Sequence, residues 1–521
     1  MVASDDTFVL DDTEDGTELT KEDKLALLLK RIHREPEYPG IAKHISEITN
    51  KTAPENAADA LDLSTAILKD YALTSKLLKL VNSASFSQYG GQISTISRAI
   101  IILGFEQVRA TALSILLFDH LSSSEQADAL NSASCSAFLS GILAREIAND
   151  FKIEPEEAYI TSLFHKLGKQ MVIYYFSDEY RRIELLLKDK KIKEPTACRK
   201  TLGVSYPELG MAIAKEWQLS ESIISGMSPP RISGNNLTSA QLNAHLASCT
   251  NEIAAVAGKT NDLKSQDFRP ITDRYKLILK LDPEYVCKLV KESVPELTAF
   301  AEILQSSMTS SGYYKKLTNT ENEKVDPNSN TEQNNQDDKT DIKNPSDKKT
   351  DPAILMDGFT EISNTLLGDF ELNDLINMIL ETIYRGMGFE RVVFCLKDNR
   401  KNLIFARFGL GLDIENIIPN FKYPIKAGSD LFNVAINKHR DFVVIDSADI
   451  KYQGQVPSWC KKLTNPFSLV AFPIITNKKC IGLLYADTQN ANTTFSADEI
   501  KMFGNLRNQA ALAFQQKQTG K

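Results

Sequence analysis

The sequence predicts a multidomain protein in which an all-α domain precedes an α+β domain built around a central antiparallel sheet. Three features of the chain lead to this prediction. Apolar residues recur at helical spacing through most of residues 21–308, without the alternation that is typical of half-buried strands. A polar segment over 309–352 separates the halves, and short β-like runs follow between an opening and a closing helix.

The predicted helical domain spans 21–308 and follows an acidic segment, 1–20, that we expect to be a disordered tail. Ser64 is predicted to cap a helix whose apolar side includes Ile67 and Tyr71. The next helix carries an apolar stripe of Leu73, Leu77, Leu80 and Val81.

Residues 309–352 contain few large apolar side chains in a background of Asn, Asp, Lys, Thr and Glu. Such a segment cannot bury enough surface to offset the entropy of ordering it, so a disordered linker is predicted. The α+β domain is predicted over 353–521. Its strands are expected at 391–396, 403–408, 442–445, 468–475 and 480–487, the last two forming a hairpin across the turn Thr476–Lys479.

Composition restricts the class of function. The chain has 521 residues, 42% of them hydrophobic and 25% charged, with a formal net charge of −8. An acidic balance disfavours a protein that coats nucleic acid, because phosphate contacts require a basic surface.

The chain also lacks a long apolar run of the kind that crosses a membrane, and its first residues are acidic rather than a basic and apolar leader. The seven cysteines are scattered, without a C-x-x-C pair, so a cytoplasmic protein with reduced thiols is predicted.

Three blocks of the helical half form a recognisable pattern: Leu77–Ala84 leading to an Ala-Ile…Leu-Gly helix end, Ala158–Lys169, and Leu202–Gly210 leading to Trp217. Through these blocks the chain resembles the HDOD family of bacterial signalling proteins over about 25–260. The family shares its fold with HD phosphohydrolases, which hold a divalent metal through histidines, an adjacent His-Asp pair and a further Asp. The resemblance implies a non-catalytic output or scaffold domain.

This chain departs from the metal-binding pattern of HD enzymes. Lys166 follows His165 where the pattern has Asp, and Tyr206 stands where it has the next His. Met227–Pro230 replaces a His pair, and none of the six histidines is followed by Asp. An ammonium group has no lone pair for a cation and repels it. We therefore predict no metal, no cofactor and no catalytic residue, with His165 as a structural remnant.

The C-terminal half has a recognisable pattern in segments that include Phe389–Leu396, Leu469–Ile474 and Cys480–Asp487. Through these segments it resembles GAF domains over about 353–517. GAF folds often hold a small ligand between the sheet and the overlying loops, a position that suits a concave pocket. The chain lacks a Cys-His dipeptide for a tetrapyrrole, and it only partly matches the cyclic-nucleotide signature at 490–499. If a ligand binds, Phe408, Trp459, Ser468 and Tyr485 are predicted to form the wall.

The opening helix of this half carries Leu355, Phe359, Ile362 and Leu366 at 4-3-4 spacing, which indicates a seam that pairs across a homodimer. The predicted function is non-catalytic signal transduction, with the GAF domain as sensor or dimerisation module and the HDOD domain as a scaffold for protein partners. Two alternatives remain open at this point: a residual metal-dependent phosphohydrolase, and a structural adaptor in which neither domain binds a small molecule.

Overall fold

A computed structural model gives the arrangement of residues 19–36, 38–51, 60–83, 93–121, 127–151, 153–188, 192–228, 237–304, 308–318, 350–426, 430–452, 454–491 and 495–519. Most of the predicted acidic tail and of the predicted linker lies outside these ranges. The N-terminal part is helical, as predicted. Its helices are α1 (Lys21–His33), α2 (Tyr38–Lys51), α3 (Ala60–Leu68), α4 (Tyr71–Val81), α5 (Ile96–Leu103), α6 (Phe105–Leu121), α7 (Ala127–Ala148), α8 (Pro155–Phe164), α9 (Leu167–Tyr175), α10 (Ser177–Leu187), α11 (Glu194–Leu202), α12 (Tyr206–Glu216), α13 (Glu221–Gly226), α14 (Ser239–Ala257), α15 (Ser265–Tyr275), α16 (Pro283–Ile303) and α17 (Gly312–Thr318).

The C-terminal part is α+β, also as predicted. Its elements in chain order are α18 (Pro352–Leu366), α19 (Leu372–Gly386), β1 (Arg391–Asp398), β2 (Leu403–Gly411), α20 (Ile414–Asn420), β3 (Lys422–Pro424), α21 (Leu431–Lys438), β4 (Phe442–Val444), α22 (Ser458–Leu463), β5 (Ser468–Thr476), β6 (Lys479–Thr488) and α23 (Ala497–Thr519).

The chain forms two compact units whose boundaries differ from the predicted domains. The first unit contains residues 1–58, 75–89 and 106–329, and the second contains 59–74, 90–105 and 330–521. Helices α3 and α5 therefore belong to the same unit as the C-terminal sheet, although they lie within the predicted helical domain. Chain position alone does not reveal this assignment, because most of α4, which lies between them, and α6, which follows α5, belong to the first unit.

The first unit is a helical assembly in which α7 and α8 pack closely. Gly141 of α7 lies against the ring of Tyr159, where a Cβ atom would come within 3.1 Å of the ring. Helix α17 belongs to this unit, and Tyr313, Tyr314 and Leu317 are buried there. The linker predicted over 309–352 thus begins too early, because two aromatic residues and a leucine supply enough apolar area to fix one more helix.

Two local predictions in the helical part are corrected. Ser64 does not cap a helix: it lies inside α3, where its hydroxyl donates to the carbonyl of Leu61. Tyr71 begins α4 and is 75% exposed, so it does not extend the apolar side of α3. The stripe of Leu73, Leu77, Leu80 and Val81 is buried, as its spacing predicts.

The sheet of the second unit is antiparallel, with strand order β3-β2-β1-β6-β5-β4. The predicted hairpin is confirmed, because β5 and β6 pair up to Thr476 and Lys479. Asn477 and Lys478 between them have positive φ angles of 50° and 62°, the conformation of a two-residue type I′ turn. The short edge strand β3 was not predicted.

Helices cover both faces of this sheet. On one face the ring of Phe514 in α23 stacks on Phe394 of β1, with centroids 5.9 Å apart. On the other face, residues of α20, α21 and α22 join a core that includes Val393, Cys395, Leu483 and Tyr485. The two faces therefore have separate apolar cores.

The predicted dimer seam is used within the chain. Leu355, Ile362 and Leu366 are buried in the second unit, and Phe359 is half-buried. Leu355 packs against Gly386 of α19, where an added Cβ would come within 2.6 Å of the leucine side chain. These three residues are therefore not exposed for a second copy. The prediction was wrong because the 4-3-4 spacing that suits a dimer seam also suits packing against a neighbouring helix of the same fold.

Within the described ranges, no helix is both long and apolar enough to cross a lipid bilayer.

Candidate functional site

The remnant of the HD site lies where α8, α9, α12 and α13 meet in the first unit. His165 caps the C-terminus of α8 and Lys166 precedes α9, so both lie in the turn between these helices. Tyr206 is the first residue of α12, which begins with a capping box between Ser205 and Glu208. Two of the three sequence blocks that resemble the family, Ala158–Lys169 and Leu202–Gly210, thus meet in space.

Two glycines allow this convergence. A Cβ atom on Gly168 would lie 1.9 Å from the carbonyl oxygen of Tyr206 and 2.7 Å from the nitrogen of Gly210. A Cβ atom on Gly210 would lie 2.8 Å from the nitrogen of Gly168. Helices α9 and α12 therefore touch backbone to backbone, which only glycine permits at these two positions.

His165 is engaged in structure rather than open to a ligand. Its Nδ1 atom lies 3.2 Å from the carbonyl oxygen of Gly226, at the end of α13. Burial, assisted by the neighbouring charge of Lys166, lowers the pKa of this imidazole to about 4. The ring is therefore neutral at physiological pH. Because a carbonyl oxygen only accepts, this hydrogen bond assigns the proton to Nδ1.

Lys166 places an amine where a metal ligand would stand. Its Nζ lies 3.4 Å from the backbone carbonyl of Asn251 on α14, and burial lowers its pKa to about 8. Lys169, one helical turn on, pairs with Glu194 at 2.9 Å and lies 5.7 Å from the centre of the Tyr206 ring. The corner thus carries two amines against one carboxylate, which is an electrostatic environment that disfavours a divalent cation.

The described residues contain no cluster of three or more His, Cys, Asp or Glu side chains arranged to hold a metal. Tyr206 is buried, and burial raises the pKa of its phenol. Met227 packs beside Gly210 at the same corner, while Pro229 and Pro230 lie outside the described residues.

The second candidate site is the space between the sheet and helices α20–α22 of the second unit. Aromatic rings of the chain itself fill it. Phe421 has its ring centre 5.0 Å from that of Trp459 and 5.2 Å from that of Tyr485, and Phe432 is 5.1 Å from Trp459. Tyr423 packs on Trp459 at 5.2 Å. At these separations the rings are in contact with one another.

Two of the four predicted wall residues meet in this cluster, and two do not. Trp459 and Tyr485 both contact Phe421. Phe408 pairs with Phe394 and so faces α23, because a bulge places Arg407 as an extra residue in β2 and reverses the alternation beyond it. Ser468 precedes Leu469, whose side chain joins the core under α20–α22, so Ser468 faces the opposite side of the sheet.

A polar network underlies the aromatic cluster. Tyr485 donates to the Oδ2 of Asp487 at 2.5 Å, and Asp487 accepts from Arg391 Nε at 2.7 Å. Arg391 also donates to the carbonyl of Thr464, at 2.7 Å. The aspartate and arginine side chains are 0% and 3% exposed, so this is a buried ion pair with several hydrogen bonds.

The sequence interpretation missed a fully buried acid of the C-terminal part. Glu381 is 0% exposed in the middle of α19. It stands within Met378-Ile379-Leu380-Glu381-Thr382-Ile383, where a carboxylate interrupts an apolar run. This carboxylate within an apolar run is the sequence feature that could have revealed a buried contact, because a buried charge requires a dedicated partner.

Comparison with known proteins assigns both parts. Residues 36–229 match the HDOD domain, and residues 371–514 match the GAF domain. The chain therefore combines a helical domain of the HD-like class with an α+β domain of a class that fits sensing and signalling. It carries an HDOD domain followed by a GAF domain. Helices α3 and α5 lie within the HDOD match, yet they belong to the unit that contains the GAF sheet.

Solved structures resemble the two parts separately. A candidate phosphohydrolase from Shewanella amazonensis SB2B is 19% identical, with a TM-score of 0.43, over 54% of this chain and 98% of that one. An HDOD domain protein of unknown function from Geobacter sulfurreducens is 19% identical, with a TM-score of 0.43, over 55% and 99%. The GAF domain of an Acinetobacter phosphoenolpyruvate-protein phosphotransferase is 13% identical, with a TM-score of 0.27, over 32% and 94%. No curated protein matches the chain.

Proposed function

We propose that this chain is a non-catalytic signal transduction protein in which the GAF domain receives the signal and the HDOD domain is the scaffold that presents it to protein partners. The observation that carries the non-catalytic part is the pair His165–Lys166. A neutral imidazole hydrogen-bonded to a carbonyl and an adjacent amine cannot together activate water on a metal.

Metal analysis tests this proposal on the full chain. After exposure to Mn²⁺, Zn²⁺ or Mg²⁺ and desalting, elemental analysis should find well below one equivalent, and a phosphodiester such as bis(p-nitrophenyl) phosphate should not be hydrolysed. One or more equivalents of tightly held metal together with turnover would instead establish the alternative, a residual phosphohydrolase. Lys166→Asp serves as a control, because it restores the His-Asp dipeptide without the other ligands.

The packed aromatic cluster supports a second candidate for the GAF domain, that of a structural adaptor. Any ligand between the sheet and α20–α22 has to displace Trp459, Phe421 or Phe432 from contact. A thermal-shift screen of the full chain with cyclic nucleotides, haem and common metabolites decides between a sensor and an adaptor. A ligand at a hundredfold over its Kd stabilises its domain by about 2.7 kcal/mol. A screen without any shift therefore favours the adaptor, and a shift identifies the ligand that the sensor binds.

Homodimerisation remains part of the proposal, through surfaces other than Leu355, Ile362 and Leu366. Light scattering on the full chain tests it directly. A mass near 116 kDa, twice the monomer mass of 58.1 kDa, is expected for the dimer. A monomer mass would remove the dimer from the proposal without touching the sensor role.

A further inference from the structure

A buried carboxylate of the GAF domain holds the first turn of an HDOD helix, within the second unit. The Oε1 atom of Glu381 accepts the backbone N–H of Ile96 at 2.5 Å, and its Oε2 atom accepts the backbone N–H of Ser97 at 2.9 Å. The Ser97 hydroxyl donates to the same Oε2 at 3.0 Å. Ile96 and Ser97 begin α5, which lies in the HDOD match, and Glu381 lies on α19, in the GAF match.

This contact completes the capping of α5. The first N–H groups of a helix have no partner within the helix and must find one elsewhere. Thr95 is the N-cap, and its hydroxyl accepts only the N–H of Arg98, at 3.1 Å. The N–H groups of Ile96 and Ser97 are left to Glu381, some 285 residues away in sequence. The negative charge also lies at the positive end of the helix dipole.

A second carboxylate binds the backbone just before the N-cap of α5. Glu361 of α18 is 8% exposed, and its Oε2 accepts the backbone N–H of Ser94 at 3.1 Å and also the Ser94 hydroxyl. Each carboxylate has an arginine nearby. Arg385 lies 3.6 Å from Glu381 and donates to the carbonyl of Ser94, and Arg98 lies 3.7 Å from Glu361.

This contact combines buried charges with the apolar side of α5, on which Ile96, Ala99 and Ile100 are buried. Apolar residues would fill the space between α5 and α19 without the cost of burying two carboxylates, whereas buried charges require their partners in place. If α5 leaves, Glu361 and Glu381 regain water and the exposed N–H groups of α5 regain water too. Both the held and the released arrangements therefore satisfy the polar groups, which is the property of a contact that opens and closes.

We propose that Glu361 and Glu381 form a carboxylate latch by which the GAF domain holds the α5 segment of the HDOD domain, and that this segment is released locally while the GAF sheet stays folded. The latch deepens the proposed function and rests on it only for the claim that the signal passes from the GAF domain to the HDOD domain. A signal that alters the packing of α18 and α19 then changes the hold on residues 93–103 of the HDOD domain.

Hydrogen exchange followed by mass spectrometry on the full chain tests the latch without any ligand or metal. In the wild type, peptides covering 93–103 should exchange through local opening, faster than peptides of β1 and β6. In Glu381→Gln, the amide keeps only one acceptor oxygen and turns its NH2 group toward a backbone N–H of α5, so exchange in 93–103 should rise by about tenfold or more, while β1 and β6 are unchanged. Glu371→Gln, an exposed glutamate before the same helix, is the matched control and should leave every peptide as in the wild type.

Two results would overturn the latch. One is that 93–103 exchanges only together with β1 and β6 in the wild type, because α5 is then a fixed part of the sheet domain. The other is that Glu381→Gln leaves 93–103 unchanged or accelerates all regions equally. If Glu381→Gln does not fold, Glu361→Ala, which removes the acceptor of the Ser94 N–H, gives the same comparison at the second carboxylate. None of these results depends on metal content or on a GAF ligand, so the failure of the latch and the failure of the proposed function remain distinguishable.

Discussion

Lys166 is the residue that most separates this chain from a metal enzyme, and its environment has a measurable consequence. Burial lowers its pKa to about 8 from an ordinary value of 10.5, so the folded protein bears a cost for the charged amine at pH 7. Between pH 8 and 10.5 the unfolded chain binds more protons than the folded one, and stability rises with pH there.

We therefore expect Lys166→Met to stabilise the first unit at pH 7 by about 1–2 kcal/mol and to remove the rise in stability above pH 8. Urea unfolding followed by Trp217 fluorescence, in a Trp459→Phe background, measures both effects. Lys215→Met, at an exposed lysine of α12, is the control and should change neither. A destabilised Lys166→Met protein with unaltered pH dependence would mean that the amine is well solvated.

Two aspartate–arginine pairs in the GAF domain differ in burial and should differ in energy. Asp487→Ala leaves Arg391 charged and buried without its carboxylate, with only the carbonyl of Thr464 as acceptor, and we expect it to cost about 3–5 kcal/mol of unfolding free energy. Asp441→Ala removes the partner of Arg507, where the aspartate is 41% exposed, and should cost at most about 1 kcal/mol. Urea unfolding followed by Trp459 fluorescence compares the two, and equal losses would refute the argument from burial.

Residue-level predictions from the sequence failed where they depended on which face of a strand a side chain occupies, whereas those that depend on side-chain chemistry stay predictions. The substitution of Lys166 for Asp can be read directly, because side-chain chemistry is in the sequence. Phe408 and Ser468 were assigned to the ligand wall, but one extra residue in β2 turns Phe408 to the other face, and the alternation of β5 does the same for Ser468. A bulge leaves no clear mark in a sequence, whereas it moves every side chain beyond it.

At the level of elements, the contact between α9 and α12 depends on the absence of a side chain at Gly168. Gly168→Ala should destabilise the first unit by about 1–3 kcal/mol, because its Cβ would overlap the carbonyl of Tyr206. This loss is expected although alanine favours a helix by about 1 kcal/mol over glycine. Gly504→Ala in α23 is the control, since its Cβ would meet only Phe472 at 3.6 Å, and it should stabilise the second unit by about 0.5–1 kcal/mol. In thermal unfolding, the first unit should therefore melt at a lower temperature in Gly168→Ala, and the second unit at a higher temperature in Gly504→Ala.

Elements set by local chemistry were predicted well. The hairpin of β5 and β6 follows from a turn of Asn477 and Lys478 between two apolar runs. Helix α17 and strand β3 were missed because each is short and depends on tertiary contacts: Tyr313 packs against Gly258 of α14, and β3 pairs with β2 at the edge of the sheet. Periodicity over seven or three residues is too brief to indicate either one.

At the scale of the molecule, sequence resemblance located the HDOD and GAF domains but not the membership of α3 and α5 in the GAF-containing unit. That membership is held by contacts between residues almost 300 positions apart, such as Ser94 with Glu361 and Ser97 with Glu381. Helical periodicity indicates that a face is buried, but it does not indicate against which part of the chain.

The latch also predicts how pH acts on the whole molecule. Burial, reinforced by the nearby charge of Glu381, raises the pKa of Glu361 to about 7, against the opposing effect of Arg98 and the hydrogen bonds from Ser94. The held arrangement then binds more protons than the released one between about pH 4.5 and 7, so the hold is strongest below this window and is lost as pH rises through 7. We expect exchange in 93–103, corrected for the intrinsic effect of pH on exchange rates, to increase from pH 6 to pH 8 relative to β1. Glu361→Gln, which cannot ionise, should show the same ratio at both pH values, whereas a persistent pH effect in that variant would assign the titration to Glu381 or to a group outside the latch.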